Sequence, residues 1–250
     1  MAYPDLQSGE GNFLPSIHEI GEFQFFNAIE LGAVQDKFER SEVSKAAEEY
    51  GLKIGFGAQP IILSQNLDLN SFDFDERSRA LHLLKEYIDQ AAEIQADRFV
   101  ILSGKDPGEV GRPDAYQHLA DSIINLGEYA QQFGVSVVLE TFDRSVDKKA
   151  LVGPSTEAAA LAATIKSAYS QFGLLYDMGH MPLLDEEPGF ALSTLHEYLA
   201  EVHLGNCVKI LGSPIFGDKH PCFGYAGGVN DTPELLRFIQ ALFETGYLDN

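Results

Sequence analysis

Tryptophan is absent from the 250 residues, and cysteine is almost so, with only Cys207 and Cys222. Two such cysteines lack zinc-type spacing and cannot make a disulfide framework, which fits a reducing, cytoplasmic setting. Positive charge is scarce: 17 Lys and Arg stand against 38 Asp and Glu, a net charge of -21. With no local basic run, sequence-independent binding to a phosphate backbone is disfavoured. No apolar run approaches the ~18 residues of a membrane span. The N-terminus has no basic segment followed by an apolar core, so no secretory signal is read there. No Gly-rich phosphate loop follows an early strand, which argues against a doubly wound nucleotide-binding sheet. What is present is ordinary soluble composition, 45% hydrophobic and 22% charged, enough for one large domain or two small ones.

The order along the chain is strand, helix, strand, helix. Short apolar runs lie at Ala28–Gly32, Leu52–Phe56, Arg98–Leu102, Val135–Leu139, Phe172–Tyr176 and Glu201–Leu204. Between them lie helical patterns at Glu39–Tyr50 (stopped by Gly51), Asp75–Ala96, Pro113–Phe133, Ser155–Ser170, Phe190–Ala200 and Pro233–Glu244. Ser16–Phe25 reads as a short helix, Asp5–Asn12 as a loop, and 57–75 as a long loop over the active face. Ser155 and Thr232 read as N-caps. Alternation without hairpins predicts a parallel α/β fold, and about 250 residues suits a (β/α)8 barrel. Six strands are clear. Met1–Tyr3 reads as the stub of a first strand, and an eighth would fall just after Tyr247. The expectation is one barrel domain over 1–250, incomplete at both ends, lacking most of strand 1 and all of strand 8. An open barrel end exposes apolar strand edges, which favours self-association into a homo-oligomer.

The later strands end in chemistry. Glu140 closes one, Asp177-Met-Gly-His180 follows the next, His203 lies in the one after, and Asp218-Lys-His220 sits in the loop beyond. Consecutive strand ends of a parallel barrel point at one spot. Oxygen and imidazole donors together suit a divalent Mn, Co, Mg, Fe or Zn. Each residue has a bland reading when taken singly: a strand-ending charge for Glu140, a turn cap for Asp177, a satisfied loop histidine for His180, and a solvated loop for Asp218 and His220. His203 is harder to dismiss, because it interrupts an apolar strand and a buried imidazole needs partners. By contrast His18, His82, His118 and His196 lie among helical charges, and Cys207 reads as a small apolar filler. Glu30 also ends a strand, where an ion pair explains it as well as function does.

The pattern Leu139-Glu140, Tyr176-Asp177-Met-Gly-His180, Val202-His203-Leu204 and Asp218-Lys-His220-Pro221, followed by Gly224 and Gly227-Gly228, resembles the xylose isomerase-like barrel superfamily. Within it, the pattern is most similar to the sugar phosphate isomerase/epimerase group. That group includes ketose 3-epimerases, hydroxypyruvate isomerases and inosose dehydratases, and endonuclease IV shares its frame. The resemblance covers roughly residues 25 to 250. It implies one divalent metal held by Glu140, Asp177 and His203. It also implies a sugar or sugar phosphate substrate met by His180, Lys209, Asp218 and His220. Lys209 stands where these epimerases carry an arginine, keeping the charge but losing the bidentate fork. The family's second Glu has no counterpart before the chain ends, and Glu244 falls too early, inside a helix.

The implied reaction is proton abstraction next to a carbonyl through a metal-stabilised enediolate, with Glu140 as the proton-transfer group. Three alternatives share the frame. One is an inosose or polyol dehydratase. Another is an endonuclease IV-like phosphodiesterase, disfavoured by the charge and by Gly57-Ala-Gln59 and Ser103-Gly104 where histidines would be needed. The third is a sugar-binding member that has lost activity.

Overall fold

The computed structural model describes residues 3–6, 9 and 11–248. The Met1–Tyr3 stub falls largely outside them, and Tyr3 itself is not in a strand. Six strands are present: β1 (Ala28–Leu31), β2 (Lys53–Gly57), β3 (Arg98–Leu102), β4 (Ser136–Glu140), β5 (Gly173–Asp177) and β6 (Leu199–His203). Their order in the sheet is their order in the chain. The pairs β1–β2, β2–β3 and β5–β6 are parallel. Eight α-helices accompany them: α1 (Leu14–Glu22), α2 (Lys37–Glu49), α3 (Gln59–Ser64), α4 (Phe74–Glu93), α5 (Arg112–Ala130), α6 (Ser155–Ala168), α7 (Pro188–Leu195) and α8 (Thr232–Glu244).

The residues pack as two compact units, Met1–Ile101 with Ser122–Val138, and Leu102–Asp121 with Leu139–Asn250. In the first, Phe56 of β2 stacks on Phe99 of β3 with ring centroids 5.2 Å apart. The α4 stripe of Ala80, Leu84, Ile88 and Ala91 is fully buried there. Asp73 starts α4 by accepting the backbone N–H groups of Asp75 and Glu76. In the second unit, β5 is buried along its whole length, as a nearly continuous apolar run in a parallel sheet demands. Tyr176 of β5 stacks on Phe238 of α8.

Four local expectations change. The stretch 57–75 is not a plain loop, for α3 lies inside it and Leu67 and Leu69 are buried. Ser122 Oγ donates to Leu69 O at 2.8 Å, so the segment is anchored rather than free to cover a mouth. Helix α6 is capped at Pro154, not Ser155, whose N–H and hydroxyl both donate to Glu186 Oε1 at 2.8 Å. Helix α8 is capped by Asp231 in a reciprocal capping box with Glu234, one residue before Thr232. Helix α7 stops at Leu195, and the chain is already extended at Leu199.

Candidate metal centre

Glu140, Asp177 and His203 are the last residues of β4, β5 and β6. Asp177 and His203 are register partners across β5–β6, and His203 Nδ1 lies 3.8 Å from Asp177 Oδ2. One donor atom from each of Glu140, Asp177 and His203 falls within 4.8 Å of the others. Side-chain exposure is 5% for Glu140, 1% for Asp177 and 31% for His203. Two carboxylates that close, both out of water, require positive charge beside them. Oxygen, oxygen and nitrogen donors at this spacing are the set a divalent cation of the first transition row or Mg accepts. The residues therefore fit the ion that the sequence calls for.

Behind this set sits a second group. His180, buried in the turn after β5, has Nδ1 2.7 Å from Thr141 O, so that nitrogen carries the proton and donates. Its ring lies 4.3 Å, centroid to centroid, from Phe142. Nε2 of His180 approaches Asp218 Oδ1 at 3.2 Å, and Nε2 of His220 approaches the same oxygen at 2.7 Å. Both contacts lie off the hydrogen-bond axis, since His180 Nε2 and Asp218 Oδ1 count as unsatisfied buried atoms. His220 Nε2 also stands 3.9 Å from Asp177 Oδ2. Burial pulls the His180 imidazolium down, but Asp177, Asp218 and Glu140 outweigh it and hold its pKa above the ordinary histidine range. For His220 the Asp218 contact dominates and also raises it. Burial pushes the Asp218 carboxyl up, yet the two histidines drive it well below the usual carboxylate range.

The expected residues thus gather, with one difference. Lys209 is committed elsewhere: its ammonium donates to Pro182 O at 2.7 Å and pairs with Asp185 at 2.5 Å. Glu244 lies in the last turn of α8 and accepts from Gln240. Cys207 is fully buried, and burial together with Asp218 pushes its thiol up to about 12, in keeping with a filler.

Sequence reasoning missed the scaffold beneath the site. Asn230 Nδ2 donates to Met178 O and Gly205 O, both at 2.9 Å. Asn206 Oδ1 accepts the N–H groups of Cys207 and Asn230. These two buried amides stitch the turns after β5 and β6 together. A Cβ on Gly205 would stand 2.5 Å from Asp177 Oδ1 and 3.0 Å from the His220 ring, so only glycine lets that carboxylate and the histidine meet over that backbone. The His203-Leu-Gly205-Asn206 run carried that signal: a glycine two residues after a strand-end histidine marks close approach.

A sequence model of the family described as xylose isomerase-like TIM barrel matches residues 17–248. No curated protein matches the sequence. Among solved structures, the chain is similar to a D-psicose 3-epimerase crystallised with D-fructose, at 17% identity and a TM-score of 0.74, covering 96% of this chain and 78% of that one. It is similar to the D-psicose 3-epimerase of Clostridium cellulolyticum H10, at 17% identity and a TM-score of 0.71, covering 95% and 77%. It is also similar to the 3-keto-D-glucoside 4-epimerase of E. coli, at 18% identity and a TM-score of 0.66, covering 95% and 84%. Likenesses at this identity establish the fold, and they meet the expectation of a (β/α)8-type barrel.

Proposed function

The chain belongs to the xylose isomerase-like TIM barrel family, and we propose that it is a divalent-metal-dependent isomerase or epimerase acting on a sugar. The observation that carries this reading is the convergence of Glu140, Asp177 and His203 from three consecutive strand ends. The likeness to ketose 3-epimerases and to a keto-glucoside epimerase supports the substrate class.

Glu140, Asp177 and His203 would hold the cation, which when bound supplies polarisation of a sugar carbonyl and so acidifies the neighbouring C–H. Glu140 takes the proton from the carbon next to that carbonyl and returns it, from a fixed position at the end of a buried strand. Substrate hydroxyls fall first to His220, whose side chain is 39% exposed, whereas that of His180 is only 1% exposed. His180 supports His220 through their shared Asp218 oxygen. Lys209 reaches a substrate oxygen only by leaving Asp185, an exposed partner that it exchanges readily. A dehydratase would use the same proton abstraction, and product analysis separates the two.

The test is metal content of the purified, reloaded chain beside Glu140→Gln, with exchange of D-fructose C–H for solvent deuterium. About one tightly held divalent ion per chain, lost from the variant together with the exchange, is the expected result. Equal metal content in both proteins, or exchange that ignores the metal, would overturn the reading.

A further inference from the structure

Asp218 joins two loops. Its Oδ1 faces His180 and His220, while its Oδ2 takes the ammonium of Lys148 at 2.9 Å. Lys148 lies in the loop after β4, downstream of Glu140. That loop is built around Asp143, a carboxylate with no exposed surface. Asp143 accepts the backbone N–H groups of Val146 at 2.7 Å and of Asp147 and Lys148 at 2.8 Å each. A buried carboxylate closing three amides fixes the backbone locally. The result presents Asp147 and Lys148 together toward the 217–220 segment.

Asp147 completes a clasp. Its Oδ2 accepts the backbone N–H of Asp218 at 3.2 Å and pairs with Lys219 at 3.2 Å and with Lys148 at 3.3 Å. Gly217, with φ at +90°, is where the segments touch: a Cβ there would lie 2.8 Å from Asp147 Cβ. The side chain of Asp218 is 4% exposed and that of Lys148 18%. A carboxylate so buried needs positive charge beside it. With Lys148 on Oδ2, Oδ1 is left to the two histidines. Without it, the carboxylate would turn to share its charge differently, and both imidazoles would follow.

We propose that Lys148, presented by Asp143, is a positioning residue: it orients Asp218 so that the other carboxylate oxygen sets His180 and His220. The inference rests on the reading above that these histidines face the substrate. In this role Asp143 acts through Lys148, and Lys148 acts through Asp218.

The experiment uses the metal-free full chain with 15N-labelled histidine and reads the imidazole signals in long-range proton–nitrogen spectra. Lys148→Met should move the His180 and His220 signals and leave those of His18, His82, His118 and His196 in place. Lys148→Arg, which keeps the charge, should restore them. In the metal-loaded chain, kcat for deuterium exchange into D-fructose should fall about 10–100-fold in Lys148→Met, as for other residues that orient a site from behind, with KM little changed. Lys148→Arg should regain most of it. Unmoved His180 and His220 signals in Lys148→Met, or an arginine variant as perturbed as the methionine one, overturns the proposal. If Lys148→Met does not fold, Asp143→Asn must move the same two signals, and their staying put is equally fatal. A wild-type chain that exchanges no D-fructose overturns the sugar reading and leaves the histidine signals to decide this one.

Discussion

The first three strands end in Leu31, Gly57 and Leu102, and the last three end in Glu140, Asp177 and His203. Burial follows the same divide. Among the described residues, the buried Asp, Glu and His side chains are Glu140, Asp143, Asp177, His180 and Asp218, all in the unit of 102–121 and 139–250. The buried polar side chains of the other unit are Ser44, Asn70 and Ser122, none of them charged. One strand-helix grammar therefore serves two purposes. Where strands end in apolar residues, burial supplies stability. Where they end in carboxylates and imidazole, the fold carries desolvated charge that is costly unless paired, and such charge is the mark of a site.

That contrast breaks most readily in the apolar unit. Leu84 has no exposed surface, so Leu84→Ala should cost about 2–5 kcal/mol in chemical denaturation. Metal affinity measured on the folded variant should be unchanged. A large loss of metal affinity there would mean that the contrast is false.

A smaller effect is expected at the charged pairs flanking the site. Arg144 donates to both Glu157 oxygens, to Tyr116 Oη and to Leu151 O, and Arg112 grips Asp106 with two hydrogen bonds. The Arg144 hydrogen bonds hold Glu157 below the usual carboxylate range, and those of Arg112 do the same for Asp106. Carboxyls lowered in the folded state stabilise above their unfolded pKa and lose that contribution as pH falls through the folded one. Thermal midpoints should therefore drop on acidification below about pH 4. Arg144→Leu should cost about 1–3 kcal/mol at neutral pH and flatten that acid limb. An unchanged limb would remove Glu157 from the account.

The smallest effect sharpens the comparison within the charged unit itself. Cys207 is buried with its thiol pushed up to about 12, while Cys222 is exposed. Near neutral pH a thiol reagent should label one cysteine per folded chain, at Cys222, and both after denaturation. Modification of Cys207 in the native chain would show that the turn after β6 opens.

The strands and the donor residues that close them were legible because both depend on local sequence. A buried parallel strand must be apolar almost throughout, so a terminal Glu140 or Asp177 stands out against it. Helix α4 announced itself by its stripe. Helix α3 did not: six residues in a polar stretch make too short a pattern, and what holds the segment is burial of Leu67 and Leu69. The caps of α6 and α8 were misread by one residue because Ser155 and Thr232 are good caps by type. The structure engages Ser155 with Glu186 and gives the α8 cap to Asp231. The resemblance places Lys209 where the epimerases carry an arginine; its pairing with Asp185 depends on a turn that the resemblance does not describe.

The sequence by itself determined the parallel strand-helix order, the family and the placing of Glu140, Asp177 and His203 at strand ends, since periodicity and strand-end chemistry are local properties. Only the tertiary structure decided which charges meet. Asp143 gathering three amides, Lys148 reaching Asp218, and Asn206 with Asn230 tying two turns all join residues from separate loops. Loop approach follows from how strands and helices pack. It leaves no periodicity behind, so a reader of the chain meets these residues as ordinary polar letters.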